Sequence, residues 1–271
     1  MRWVLFVMLG LLCGTLVYAR WVEAYWLKVY PTTVVIPGLP RGFDGLRVVQ
    51  LTDLHRGPYA SASYLARALD MANALHPDLI VLTGDYVHRS PQYIASVYQL
   101  MSRLRAPLGV YAVLGNHDHW EDPDLTETQL AMAAAGVENL DNRNVVLTRG
   151  GQHLWLGGVA DLWSARPDLA AATQGMPPNG KMILLSHNPD FVDHMEDSRV
   201  VLVLSGHTHG GQINLPLVGP PVLPSRRLFA AGLVQYRGLQ VYISRGVGMI
   251  TPPLRFRCRP EVTLLTLHAA P

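Results

Sequence analysis

Leu46-Arg47-Val48-Val49-Gln50-Leu51-Thr52-Asp53-Leu54-His55 is the stretch from which the fold is read, because a short apolar strand runs straight into an aspartate and a histidine. The same junction recurs along the chain. Asp78 to Thr83 is followed by Gly84-Asp85, and Val110 to Leu114 by Gly115-Asn116-His117-Asp118. Lys181 to Leu185 leads into Ser186-His187-Asn188, and Arg199 to Leu204 into Gly206-His207-Thr208-His209-Gly210. Between the first three strands the sequence has helical character. Ser61 is placed to cap a helix that has Leu65, Leu69, Ala72 and Leu75 on one face, and Ser90 with Pro91 at the first helical position opens another to about Leu104. Asp53 to Asp85 is 32 residues and Asp85 to Asn116 is 31, the period of consecutive βαβ units. Such units collect the ends of their strands on one edge of a sheet, where α/β proteins place their sites.

Beyond Gly136 helices thin out and short strands take over, at Val145 to Leu147, His153 to Leu156, Lys181 to Leu185, Arg199 to Leu204 and Glu261 to Leu267. The expected product is an α/β domain of two packed mixed sheets flanked by helices. The 271 residues carry 22 Lys+Arg against 20 Asp+Glu, a net charge of +2, and 49% are hydrophobic, which excludes a disordered tail, a collagen-like repeat or a charged coiled coil. The near-neutral balance argues against a nucleic-acid polymer as partner. Two cysteines, Cys13 and Cys258, give neither a disulfide framework nor a thiolate metal site.

The five clusters hold carboxylate, amide and imidazole donors without thiolate, a set suited to Mn, Fe or Zn. Asp53, His55, Asp85, Asn116, His187, His207 and His209 are too many for one tetrahedral ion and suffice for two divalent metal ions if one carboxylate bridges. In extended backbone the pairs Asp53-x-His55 and His207-x-His209 would each point to one side and reach one centre.

These motifs, D-x-H, G-D, G-N-H-D, a lone H and G-H-x-H in that order from Gly45 to Leu267, resemble the calcineurin-like metallophosphoesterases. Leu82-Thr83-Gly84-Asp85-Tyr86 and Ser205 to Gln212 look like the bacterial branch with an N-terminal membrane segment, which includes the YkuE and YaeI type phosphodiesterases. The resemblance implies a four-layer sandwich and hydrolysis of a phosphoester. It assigns Asp53, His55 and His209 to a first metal, Asn116, His187 and His207 to a second, and Asp85 to both. His117 would act on the leaving or equatorial oxygens as a catalytic residue. Asp118 would orient His117 or, equally, serve a turn. Some relatives carry an acid three residues after the Gly-Asp aspartate, where this chain has His88. His88 and His119 are expectations for substrate contact, while His76, His153, His194 and His268 read as structural or solvated.

Trp3 to Ala19 is uncharged over 17 residues and flanked by Arg2 and Arg20, with Trp21, Tyr25, Trp26 and Tyr30 beyond. Residues 1–30 therefore read as a single-pass membrane anchor with its juxtamembrane segment, and 31–271 as the catalytic domain. The membrane face is open, and the alternative is a signal peptide cut after Val17-Tyr18-Ala19, giving a secreted protein. Leu215 to Pro224, with four prolines, is either an apolar lip for a lipid or membrane surface, or a loop packed on the domain's own core. Arg255, Arg257 and Arg259 alternate as on a strand face that meets phosphate, or as a charged sheet edge. Three functions follow. They are a membrane-anchored phosphoesterase cutting a phosphodiester or pyrophosphate of a lipid-linked or nucleotide-sugar-lipid substrate, a phosphomonoesterase or phosphoprotein phosphatase on soluble substrates, and a non-catalytic binding module.

Overall fold

The computed structural model describes residues 2–227 and 229–270. Helix α1 (Arg2–Val17) has no buried residue and continues through a π turn (Tyr18–Val22) and a 3-10 turn (Glu23–Tyr25). The whole run of 24 residues is long and apolar enough to cross a membrane. The strands are β1 (Lys28–Ile36), β2 (Leu46–Leu51), β3 (Leu79–Thr83), β4 (Val110–Val113), β5 (Glu138–Asn139), β6 (Arg143–Arg149), β7 (Gln152–Gly158), β8 (Met182–Leu185), β9 (Val200–Ser205), β10 (Gly232–Tyr236), β11 (Leu239–Ile243) and β12 (Glu261–Ala269). Helices α2 (Ala62–Ala74), α3 (Ile94–Met101), α4 (Asn116–Glu121), α5 (Thr126–Ala135) and α6 (Leu169–Ala172) lie between them.

Two six-stranded mixed sheets result, in the orders β1-β12-β2-β3-β4-β5 and β10-β11-β9-β8-β7-β6. The period of two along each strand sorts the layers. In β2 and β3, Val48, Leu79 and Val81 point into the core between the sheets, where they meet Leu156, Ile183, Leu202 and Leu204. Their neighbours Val49, Leu51, Ile80 and Leu82 point the other way, onto Leu65, Leu69 and Ala72 of α2. Both faces of β3 are covered, so it is apolar throughout, as strands buried on both sides are. The outer face of the second sheet buries Met182, Leu184 and Val203 under Ala172, Phe191 and Val192. Each such side chain contributes about 1.5–3 kcal/mol. Ser61 caps α2 by accepting from Tyr64 N–H at 3.2 Å.

Three elements depart from the sequence expectation. Strand β1 begins at Lys28, so the division at residue 31 falls inside it; the β-branched run Thr32-Thr33-Val34-Val35-Ile36 carries the signal, and Pro31 is tolerated because β1 is an edge strand. The hairpin β10–β11 turns at Arg237-Gly238, both in left-handed backbone. The segment carrying Arg255, Arg257 and Arg259 is irregular, with Arg257 at φ 53°.

The end of the apolar helix is sewn to that irregular segment. Arg255 N–H donates to Ala19 O at 3.0 Å, and Cys258 N–H donates to Glu23 Oε1 at 2.6 Å. Tyr25 donates to Tyr59 O, and the Arg259 guanidinium lies over the Trp26 ring at 3.9 Å. Ala19, Glu23 and Ala24 are buried. Glu23→Ala leaves the buried Cys258 N–H without an acceptor and is expected to destabilise this junction by about 1–3 kcal/mol. In a Cys13→Ser background the check is alkylation of the buried Cys258 thiol, which should become measurably faster.

Candidate metal centre

The carboxyl ends of β2, β3, β8 and β9 and the N-terminus of α4 converge on one buried site. Asp53 and His55 follow β2, Asp85 follows β3, His187 follows β8, His207 and His209 follow β9, and Asn116 opens α4. Asp53, His55, Asp85, His207 and His209 all have positive φ, between 45° and 69°. The pairs Asp53-x-His55 and His207-x-His209 therefore do not use extended backbone, as their alternation suggests; tight left-handed loops turn the side chains inward. Each such residue costs about 1–3 kcal/mol and persists only where its surroundings hold it. Asp53 N–H donates to Gly84 O at 2.9 Å, His55 N–H to Asp85 O at 3.0 Å, Gly206 N–H to His187 O at 3.0 Å and Gly248 N–H to Asp53 O at 2.6 Å. Gly84, at φ 93°, has no room for a Cβ, which would lie 2.5 Å from His187 Nδ1. A Cβ on Gly115 would strike Asp85 Oδ1. Gln50 joins the sheets beneath the site, its amide donating to Ser205 O and Thr83 Oγ1 at 2.9 Å.

The ligand atoms of Asp53, His55 and His209 lie within 4.8 Å of one another, and so do those of Asp85, His187 and His207. In the first group His209 Nε2 is 3.0 Å from His55 Nε2 and 3.3 Å from Asp53 Oδ1. In the second, His187 Nε2 is 3.3 Å from Asp85 Oδ2 and 3.2 Å from His207 Nδ1. Asp85 Oδ2 also stands 3.5 Å from His55 Nε2, so one carboxylate oxygen faces both groups.

These donors fit cations. The rings of His55 and His209 stack at 21° with their Nε2 atoms facing, and two buried imidazole lone pairs hold that position only around a proton or a metal. His187 Nδ1 donates to Thr83 O at 2.7 Å, which turns its Nε2 toward Asp85 in the ring orientation that metal-ligating histidines adopt. Asn116 Oδ1 is buried with no hydrogen-bond partner.

The charges agree. Burial pushes Asp53 up to about 7, against the pull of His187. Burial also pushes Asp85 up, but His187, His117 and His55 outweigh it and hold its carboxyl well below the usual range. Burial would lower His187, yet Asp85 and Asp53 hold it well above an ordinary histidine. His55 and His209 are driven well below theirs by burial, and His207 to about 3, so all three are neutral, the ligand form.

His117 sits beside both groups. Its ring meets His55 edge-on at 4.8 Å and Trp120 at 4.6 Å, and its backbone N–H donates to Asp85 Oδ1 at 2.9 Å. Asp118 does not orient His117. Its Oδ2 accepts from Asp85 N–H and Gly115 N–H, both at 2.9 Å, and its Oδ1 from Tyr86 N–H at 2.8 Å, so the carboxylate locks the loop that presents Asp85. His88 is the group facing His117, with their Nδ1 atoms 3.4 Å apart. His119 lines the wall of a cavity of about 840 Å³ with Gln129, Asn139, Asp141 and Arg143. Arg255 is fully buried and cannot meet substrate: its guanidinium donates to the carbonyls of Arg245, Gly246, Gly248 and Cys258. Arg257 is exposed, outside the histidine cluster. Sequence reasoning missed Trp163, whose ring edge packs on His207 at 4.3 Å from a loop with no motif around it.

A buried carboxylate-imidazole site at the strand ends of a two-sheet sandwich defines a metal-dependent phosphoester hydrolase. Residues 46–211 match the family described as calcineurin-like phosphoesterase, and the chain belongs to it. It is 33% identical over 255 residues to the uncharacterized metallophosphoesterase YkuE of Bacillus subtilis, covering 93% of this chain and 89% of the relative. To phosphodiesterase YaeI of Escherichia coli it is 34% identical over 227 residues, 82% of each chain. A transmembrane protein with metallophosphoesterase domain of Bos taurus is 33% identical over 89% of this chain and 57% of its own.

Two outcomes are expected here. Without metal, Asp53 keeps its proton up to a pH of about 7 and His187 keeps its own above the ordinary histidine range, and a cation must displace both. Affinity therefore rises with pH and is lost as pH falls through about 7, which metal content after dialysis across that range will show. Asp118→Asn, by freeing the Asp85 loop, should weaken metal retention about 10–100-fold. A residue that merely oriented His117 would leave metal content unchanged.

Proposed function

We propose that the chain is a membrane-anchored phosphodiesterase whose two ligand groups hold two divalent ions, Mn, Fe or Zn, with Asp85 bridging them. The observation that carries this is the single Asp85 oxygen standing within 3.5 Å of an imidazole nitrogen of each group. Asp53, His55 and His209 would hold one ion, and Asn116, His187 and His207 the other. Bound there, the pair would activate a water and neutralise phosphate oxygens. The chain's own residues do the rest. His117 approaches the phosphate beside the ions, fixed by its backbone bond to Asp85, and protonates the leaving oxygen or bonds the equatorial oxygens as charge develops. His88 backs His117, with their Nδ1 atoms 3.4 Å apart. Trp120 packs against His117 and Trp163 against His207, and both tryptophans are exposed.

The bond cut would be a phosphodiester or pyrophosphate of a lipid-linked substrate. The apolar helix supports a membrane location, and an uncut anchor is supported by Ala19, whose carbonyl is already engaged by Arg255. Metal analysis of the purified full chain, joined to a turnover screen of lipid diphosphates, cyclic nucleotides and phosphopeptides, tests both parts. Asp85→Asn should abolish activity and reduce metal occupancy. His117→Ala should lower kcat about 10²–10⁴-fold with metal content still near two. One metal per fully active chain would overturn the binuclear centre, and turnover confined to phosphopeptides would overturn the lipid substrate.

A further inference from the structure

Resting on that reading, we propose that Leu215 to Leu223 is a second membrane contact beside the anchor, and that the cavity behind it seats the end of one hydrocarbon chain of the lipid being hydrolysed. In this loop Leu215, Leu217, Val218 and Val222 are all exposed, Leu217 completely. A soluble surface rarely collects four such side chains within eight residues. The loop is nevertheless built rather than loose. Leu215 N–H donates to Gly219 O and Gly219 N–H back to Leu215 O, both at 2.9 Å, which lifts the intervening apolar residues as a closed turn.

The partner follows from what lies next to it. Asn214 N–H donates to Phe256 O, and Phe256 N–H donates to Gln212 O. The residue before Phe256, Arg255, donates to Ala19 O at the end of the apolar helix. Only one segment of backbone, residues 255–256, therefore separates the base of the loop from the anchor. The collar around it has the composition of a membrane-water boundary, with exposed Trp21 and Trp26, Arg259 stacked on Trp26, and Arg257 exposed between anchor and loop.

Behind the loop is a cavity of about 240 Å³ lined by His209, Ile213, Val222, Pro224, Ile250 and Pro252. One wall is thus a residue of the metal centre. Three of its polar side chains are already engaged: Gln212 accepts from Ile250 N–H and donates to Pro252 O, Thr208 donates to Ala230 O, and Thr251 accepts from Arg89. The volume falls below the roughly 300–1,000 Å³ of pockets that enclose whole ligands, so it suits a chain end. An ester whose phosphate meets His117 and whose chain rises past His209 would leave the protein directly into the bilayer.

Two measurements test this on the full chain in vesicles of phosphatidylethanolamine and phosphatidylglycerol. With Cys13→Ser and Leu217→Cys carrying a polarity-sensitive fluorophore, emission should shift to the blue and be quenched by brominated lipid. Emission typical of water, unquenched, would overturn the membrane contact. For the cavity, Val222→Trp and Ile250→Trp should each lower kcat/KM about tenfold, the equivalent of about 1.4 kcal/mol, on a diacylglycerol p-nitrophenyl phosphodiester, while bis(p-nitrophenyl) phosphate is cleaved as before. Equal loss on both substrates, or no loss on either, would overturn the chain-binding role. If the unmodified protein cleaves the small diester and ignores the acylated one, the lipid reading and the cavity fall together, while the quenching still decides the membrane contact by itself.

Discussion

Two carboxylates, Asp53 and Asp85, are buried out of water at the seam between two sheets, and the surrounding structure exists to make that tolerable. An isolated buried carboxylate is expensive, and two that share a site are more so. Imidazoles and backbone N–H groups supply part of the compensation. The facing nitrogens of His55 and His209 and the unpartnered oxygen of Asn116 show what is still owed, a concentrated positive charge. The loops accept strained φ at five of the seven positions because rigid, fully buried strands deliver them and because the glycines beside them leave no slack. Rigidity here is chemically useful: side chains that cannot relax toward one another keep open the space that a cation requires.

Much of this was legible in the sequence. Strands such as Leu46 to Leu51 and Leu79 to Thr83 announce themselves because both faces are covered, and the polar clusters interrupt them at the point where burial against helices stops. Residue identity and order thus mark the strand ends that the fold brings together. Its local geometry was hidden, since the same Asp-x-His spacing serves extended and left-handed backbone alike. For Asp118 the sequence offers two roles, orienting His117 or serving a turn, and the structure is nearer the second: its oxygens accept from Gly115 N–H in its own loop and from Asp85 and Tyr86 N–H in the neighbouring one. The Arg255-x-Arg257-x-Arg259 alternation suggests a strand face, but the backbone there is irregular and Arg255 turns inward. Nothing in a single sequence reveals that four carbonyls will converge on one guanidinium. Strand β1 escaped notice because its β-branched run follows an apolar helix and lacks a motif.

The junction between helix and domain gives the chemistry an address. Arg255 binds the carbonyls that shape the loops next to Asp53 and, through its own N–H, the last turn of the apolar helix. Cys258 bonds Glu23 on one side and the His209 carbonyl on the other. The carboxylate-imidazole cluster and the apolar helix are therefore not joined by a tether. They share a wall, so the orientation of one fixes the orientation of the other.

The position of β12 has a consequence for how the protein is made. Lys28 of β1 pairs with Glu261 of β12, and β12 lies between β1 and β2, so among the described residues the strand nearest the apolar helix gains its one sheet neighbour from near the end of the sequence. At about 5–20 residues per second, roughly 10–50 s of translation separate the two partners. Throughout that interval the ribosome extends a chain whose first helix is ready for the bilayer while β1 waits unpaired and β2 has an open edge. β2 to β5 can line up in chain order as they emerge, but the sheet closes only when its last strand enters between its first two.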